Sequence, residues 1–248
     1  MTAGPIQFFH DMRNAFACIA TAPAEAGNKA EALAELAFDF FEKNITIQTE
    51  GLPPPACEKG CPACCNLRVT ATAPEIFLLA RYVERIDATP GGGAIALKTR
   101  IAETHHATAD VGEKSRLKLR HPCPFVIRGA CIIHSVRPLA CRGHAAFNPE
   151  NCSAAALGDE DTEVAISAPH LMLRGLVQNA LQAALRDVGL AWGLYELNHG
   201  LVSALDGQGR QTAWARGIDS LAPVVTDLDM TTLAAMFDQL VQCNNPLP

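Results

Sequence analysis

Cys57-Glu58-Lys59-Gly60-Cys61-Pro62-Ala63-Cys64-Cys65 is the stretch on which the reading of this chain turns. Four cysteines fall within nine residues, and Gly60 and Pro62 bend the backbone around Cys61. A bent, short connection lets several thiolates turn toward one region, which a straight strand does not. Zinc held by four thiolates needs Zn–S distances of ~2.3 Å, with sulfurs roughly 4 Å apart. An iron–sulfur cubane tolerates wider separation, because each thiolate binds a different iron. Adjacent residues such as Cys64 and Cys65 point in different directions. They fit a polynuclear cluster, or two neighbouring sites, better than one zinc.

Downstream the cysteines continue as Cys123-Pro-Phe125, Cys131-Ile-Ile-His134 and Arg137-Pro-Leu-Ala-Cys141-Arg142, with Cys152 beyond. Val126, Ile127, Ile132 and Ile133 mark Phe125–Ile133 as a strand region, and Arg128-Gly129 as its hairpin turn. A two-residue turn would pair Cys123 with His134; a three-residue turn would put Cys123 and Cys131 on one face. Pro138 opens a short helix carrying Cys141, and Gly143 ends it. Arg137 and Arg142 would stabilise thiolates or a net-negative cluster. His134, His144 and Cys152 are secondary ligand candidates. Cys18 and Cys243 lie on apolar helix faces and are expected to be small buried hydrophobes.

Helical periodicity flanks this middle on both sides. Ile6, Phe9, Met12, Phe16 and Ile19 predict one helix, and Leu33, Leu36, Ala37, Phe40 and Phe41 a second. Pro53-Pro54-Pro55 ends regular structure. Thr72-x-x-Glu75 is a capping box opening a helix through Ile86. Gly91–Gly93 is a loop, and a polar helix is expected over Ala94–Leu119, with His105 and His106 on the surface. Pro169–Asp187 and Leu190–Leu205 predict one broken helix or two successive helices, with the break at Gly189. A last helix runs from Asp229 to Cys243, capped by Asp227 or Asp229. The expected fold is mainly α. It is a helical single domain over residues 1–248, with a short β-hairpin. Its cysteine-rich metal-binding middle, 57–152, lies between helical segments 5–48 and 168–243.

The formal net charge is −6, and charged residues make up only 19%, so no basic excess draws in nucleic acid or an anionic membrane. The one basic run, Lys114–Arg120, alternates with leucines and is expected to form a solvated face. The apolar stretch around Leu181–Leu205 carries Arg186, Asp187 and Glu196, too many charges for a membrane span. Met1–Ala20 lacks a basic n-region followed by an apolar h-region, so the chain is expected in the cytoplasm. There thiols stay reduced, and ten cysteines point to metal or redox chemistry rather than disulfides.

The ordered pattern Cys-x3-Cys-x2-Cys-Cys, Cys-Pro-Phe, Cys-x-Ile and Arg-Pro-x-x-Cys-Arg resembles the YkgJ-type cysteine-cluster family, described as a zinc- or iron-chelating domain. The resemblance covers Cys57–Arg142. It implies that Cys57, Cys61, Cys64, Cys65, Cys123, Cys131 and Cys141 hold the metal. The family usually has tyrosine where this chain has His134. A branch sharing the cysteine pattern is the flagellin lysine-N-methylase type, associated with an iron–sulfur cluster. Two functions are therefore expected. One is a metal-binding protein holding an iron–sulfur cluster, 4Fe-4S favoured, or zinc, in metal handling or redox sensing. The alternative is a cluster-dependent modifying enzyme such as a protein lysine N-methylase using S-adenosylmethionine. Cys57-x3-Cys61-x2-Cys64 also has the spacing of radical S-adenosylmethionine enzymes, but Ala63 stands where those usually carry an aromatic, and the strand–helix alternation they need is missing. The expected partner is a metal ion or cluster, with a protein partner left open.

Overall fold

The helices form because apolar side chains recur every three or four residues. In α1 (Pro5–Thr21), Phe9, Met12, Phe16 and Ala20 are buried along one stripe. In α2 (Ala26–Gln48), Leu33, Ala37, Phe41 and Ile45 make the matching stripe. This computed structural model describes residues 4–23, 25–57, 60–157, 159, 161–207, 209–225 and 229–242, except the side chains at 26, 27, 113, 114 and 117. Cys243 and Asp227 lie outside the described residues.

A three-residue strand, β1 (Thr70–Thr72), runs straight into α3 (Ala73–Asp87). The capping box forms as expected: Glu75 reaches back to the Thr72 N–H while Thr72 caps the first turn. A 3-10 turn over Gly92–Ala94 leads to α4 (Leu97–Thr108) and α5 (Glu113–Leu119). The single polar helix expected over Ala94–Leu119 is thus two helices, parted around Asp110–Gly112. A hairpin follows, with β2 (Val126–Ile127) paired antiparallel to β3 (Ala130–Cys131). Then come α6 (Leu139–Gly143), α7 (Pro149–Ala156) and α8 (Ala168–Asp187). The chain closes with β4 (Leu194–Glu196), α9 (Leu197–Asp206), α10 (Arg210–Ala215) and α11 (Met230–Gln242). Asp229 accepts the N–H groups of Thr231 and Thr232 and so caps α11.

The fold is mainly α, with two small antiparallel ribbons. β1 pairs with β4 in the register Thr70↔Glu196, Ala71↔Tyr195, Thr72↔Leu194. This ribbon replaces the first half of the helix expected over Leu190–Leu205. Gly193 explains part of the difference: a Cβ there would lie 2.3 Å from Val224 Cγ1, so the chain passes in a close extended approach. The true start of α9 is Glu196, whose carboxylate accepts the His199 N–H at 2.8 Å. Glutamate is not a favoured N-cap type, which hides this boundary.

α1 packs on α8 and α2, α2 on α3 and α8, and α9 on α3 and α4. Their buried faces join in one hydrophobic cluster. Cys18 departs from expectation and is exposed. It sits two residues from both Phe16 and Ala20, about 200° around the helix from the buried stripe. Arg116 also departs: within the basic run it is only 6% exposed, and its guanidinium pairs with Glu196 at 3.2 Å. His106 is exposed as expected, but His105 is half-buried against the His199 ring, 5.4 Å between centroids. Among the described residues no helix is long and apolar enough to cross a membrane.

Candidate functional site

Between α2, α6, α9 and the loops before β1 and β2 lies a cavity of about 330 Å³. Cys57, Cys61, Cys64, Cys65, Cys123, Cys131 and Cys141 all line it. So do His134 and His144, and the guanidinium-bearing Arg116, Arg137 and Arg142. Cys152, on α7, is not among the lining residues, although the nearby Cys57, Cys64 and Cys61 help push its thiol up, behind burial as the main cause. The nine described cysteines are all free thiols.

Several of the thiols are carried by segments with anchors of their own. Ala56 donates to Ala146 O at 2.8 Å, and the Ala146 N–H donates to Cys57 Sγ at 3.2 Å. Cys64 and Cys65 sit in a tight turn in which Cys65 N–H reaches Pro62 O at 2.9 Å and Leu67 N–H reaches Cys64 O at 3.1 Å. The Cys123 N–H donates to Cys65 O at 2.6 Å and joins the two cysteine groups directly. Arg100, on α4, holds the Cys123 segment by donating to Pro124 O at 2.9 Å and Val126 O at 3.2 Å.

The hairpin takes the two-residue turn. Arg128 (φ 50°) and Gly129 (φ 79°) are both left-handed, as a type I′ turn requires. The register is Val126↔Cys131, and the Ile132 N–H still bonds Phe125 O at 3.0 Å. The ladder then stops, because the chain coils into a 3-10 turn over His134–Val136. Cys123 and His134 are therefore not ladder partners. Cys123 and Cys131 nonetheless line the same cavity.

α6 is tied down at its first residue. Glu75, 1% exposed, accepts Thr72 N–H at 2.8 Å and Thr72 Oγ1–H at 2.7 Å on one oxygen, and Leu139 N–H at 2.8 Å on the other. Burial pushes its carboxyl above the ordinary range, against these three bonds. One turn later Arg142, 6% exposed, pairs with Glu42 and donates to Arg137 O at 2.9 Å and Ser135 O at 2.7 Å. Its guanidinium stacks 4.1 Å over the Phe38 ring. Arg137 donates to His134 Nε2.

The thiols perturb one another. Cys65 donates to Cys64, so the Cys64 thiol is lowered to about 7 while Cys65 is held protonated well above the usual range. Burial pushes Cys123 up to about 11, and raises Cys131 and Cys141 as well. Burial also lowers His144, which favours a neutral imidazole. Cys65, Cys123, Cys131 and Cys141 thus resist ionisation on their own. A bound cation reverses that balance by compensating the thiolates, so the donor set fits a metal or cluster in its chemistry. Among the described residues, however, no group of three or more His, Cys, Asp or Glu side chains is set to hold a metal ion.

All seven cysteines singled out from the sequence meet at this cavity. The pairing of Arg116 with Glu196 carries no local sequence signal. The capping box exposed one role of Glu75 but not its grip on Leu139. Arg116 looked solvated because its partner Glu196 lies far along the chain. Comparison with family models, curated proteins and solved structures returned no match.

Proposed function

We propose that this protein binds a metal cofactor through Cys57, Cys61, Cys64, Cys65, Cys123, Cys131 and Cys141, with an iron–sulfur cluster, 4Fe-4S, favoured over zinc. The observation that carries the reading is the convergence of these seven thiols on one cavity that also holds three arginines. Buried free cysteines alone need no function, but seven lining one cavity of about 330 Å³ do. Seven thiols exceed the four ligands that a tetrahedral zinc takes, which suits a polynuclear cluster, whose irons are each met by a different thiolate, better than a lone zinc. Arg137, which favours the thiolates of Cys64, Cys131 and Cys141, and Arg116, which favours that of Cys123, supply part of the positive charge that several thiolates require. The resemblance of Cys57–Arg142 to a zinc- or iron-chelating cysteine-cluster family points the same way. Metal handling or redox sensing is the role proposed.

Anaerobically purified protein should contain iron and acid-labile sulfide and show a broad visible absorbance. A colourless protein with stoichiometric zinc and no sulfide would exclude the cluster, and a metal-free protein would exclude the whole reading. Cys61→Ser and Cys141→Ser should each lower the metal content. Cys18→Ser, at an exposed position on α1, should not. Equal loss in all three would mean that the cysteines act through stability alone.

A further inference from the structure

The three arginines on the cysteine cavity are tied down differently. Arg142 spends its donors on Glu42 and on the Arg137 and Ser135 carbonyls, and Arg137 donates to His134. Arg116, on the short helix α5, bonds among the described residues only the Glu196 carboxylate, through Nη1 at 3.2 Å. It is 6% exposed. A guanidinium is always charged, and strong Arg–carboxylate pairs are bidentate. A single contact at 3.2 Å therefore compensates little of the cost of burying this cation.

Glu196 is itself shared. Its Oε1 also accepts the Asn198 Nδ2–H at 2.9 Å, and its Oε2 accepts the His199 N–H at 2.8 Å. These bonds fix the carboxylate at the junction of β4 and α9, and Glu196 in turn fixes Arg116. Arg116, Asn198 and Cys123 line the same cavity. The charge of Arg116 reaches the sulfur: burial pushes the Cys123 thiol up to about 11, and Arg116 pulls against that rise. The cation thus stands beside Cys123, with its counter-charge anchored in the helical core.

We propose that Arg116, positioned by Glu196, sets the reduction potential of the cluster from the Cys123 side. This inference rests on the cluster reading above. Net charge and solvent exposure are among the factors that fix the potential of an iron–sulfur centre. A buried cation offsets the charge that an added electron brings, and so favours the reduced state. Glu196 opposes that effect. The two residues therefore act with opposite signs, which a purely structural pair does not.

Anaerobic redox titration of the full chain, followed by visible absorbance, measures the midpoint potential. Arg116→Met should lower it by about 59 mV or more, a tenfold shift in a one-electron equilibrium. Arg116→Lys keeps the charge and should recover most of that shift. Glu196→Gln keeps an acceptor oxygen but removes the counter-charge, and should raise the midpoint. Arg210→Met, at an exposed position on α10 outside the cavity, should leave it unchanged. An unshifted midpoint in Arg116→Met at full iron and sulfide content would overturn the inference and leave the cluster reading intact. A wild-type protein without iron and sulfide would overturn both. Shifts of the same sign in Arg116→Met and Glu196→Gln would reduce the pair to a structural role. Should Arg116→Met fail to fold, Glu196→Gln decides alone: a midpoint that falls or stays would overturn the inference.

Discussion

Glu75→Ala is the substitution that bears hardest on how the cysteine cavity is held. The carboxylate of Glu75 is 1% exposed and accepts three hydrogen bonds, two from Thr72 and one from Leu139. Truncation leaves two buried backbone N–H groups without acceptors, while the Thr72 hydroxyl can rotate to another. Each orphaned donor costs about 1–3 kcal/mol. The void left by the side chain adds to this, and relief from burying a carboxyl offsets part of it. The net expectation is a loss of about 3–5 kcal/mol, a large share of the ~5–15 kcal/mol that holds a domain folded. Glu75→Gln keeps the shape and one acceptor but turns an NH2 toward an N–H donor, so it should lose about 1–3 kcal/mol. Urea unfolding followed by circular dichroism measures both. A loss below about 1 kcal/mol for Glu75→Ala, or equal losses for the two variants, would refute the account of Glu75 as the tie between α3 and α6. The pH dependence gives a second check. Burial raises the folded-state pKa of Glu75 above its unfolded value of about 4.3. The folded chain then holds the proton after the unfolded chain has lost it. Wild-type stability therefore falls, relative to Glu75→Gln, as pH rises from about 4.3 through the raised folded value. The penalty of Glu75→Gln should be largest at the acid end and shrink above it; a penalty that grows with pH would contradict the assignment.

Other substitutions probe the same frame. Gly143→Ala would put a Cβ 2.5 Å from Arg174 Cβ, forcing α6 off α8; a loss of about 1–3 kcal/mol in urea unfolding is expected. Arg142→Met removes the guanidinium from over Phe38 and strips the Ser135 and Arg137 carbonyls of their donor, for a loss of about 2–3 kcal/mol, little of it from the half-exposed Glu42. Phe125→Ala empties a fully buried position behind the hairpin and should lose about 3–5 kcal/mol in the same assay.

What sequence spacing could reveal was whatever is local. The stripes of α1 and α2, the capping box at Thr72 and the turn at Arg128-Gly129 each rest on residues a few positions apart. The periodicity that reads as a helix over Leu190–Leu205 conceals β4, because a three-residue strand has too short a pattern to compete. Its partner β1 lies far back along the chain. The same distance hid Arg116: a basic run looks solvated until Glu196 arrives to bury one member of it. The cysteines were legible as a set because residue type alone marks them. Their meeting in one cavity depends on anchors that are not cysteines at all.

Those anchors explain why the cavity is framed by the helical core although none of its seven thiols sits inside a long helix. Cys57, Cys61, Cys64, Cys65 and Cys123 lie on loops, Cys131 on a two-residue strand, and Cys141 on a five-residue helix. Such segments have little stability of their own. Cys141 takes its position from Glu75 in the capped first turn of α3, Cys123 from Arg100 on α4 and from the Cys65 carbonyl, and Cys57 from the Ala146 backbone. The ties reach different elements, and the Cys123–Cys65 bond couples two of the thiols to each other. The core thus sets the outline of the cavity through a few buried polar bonds.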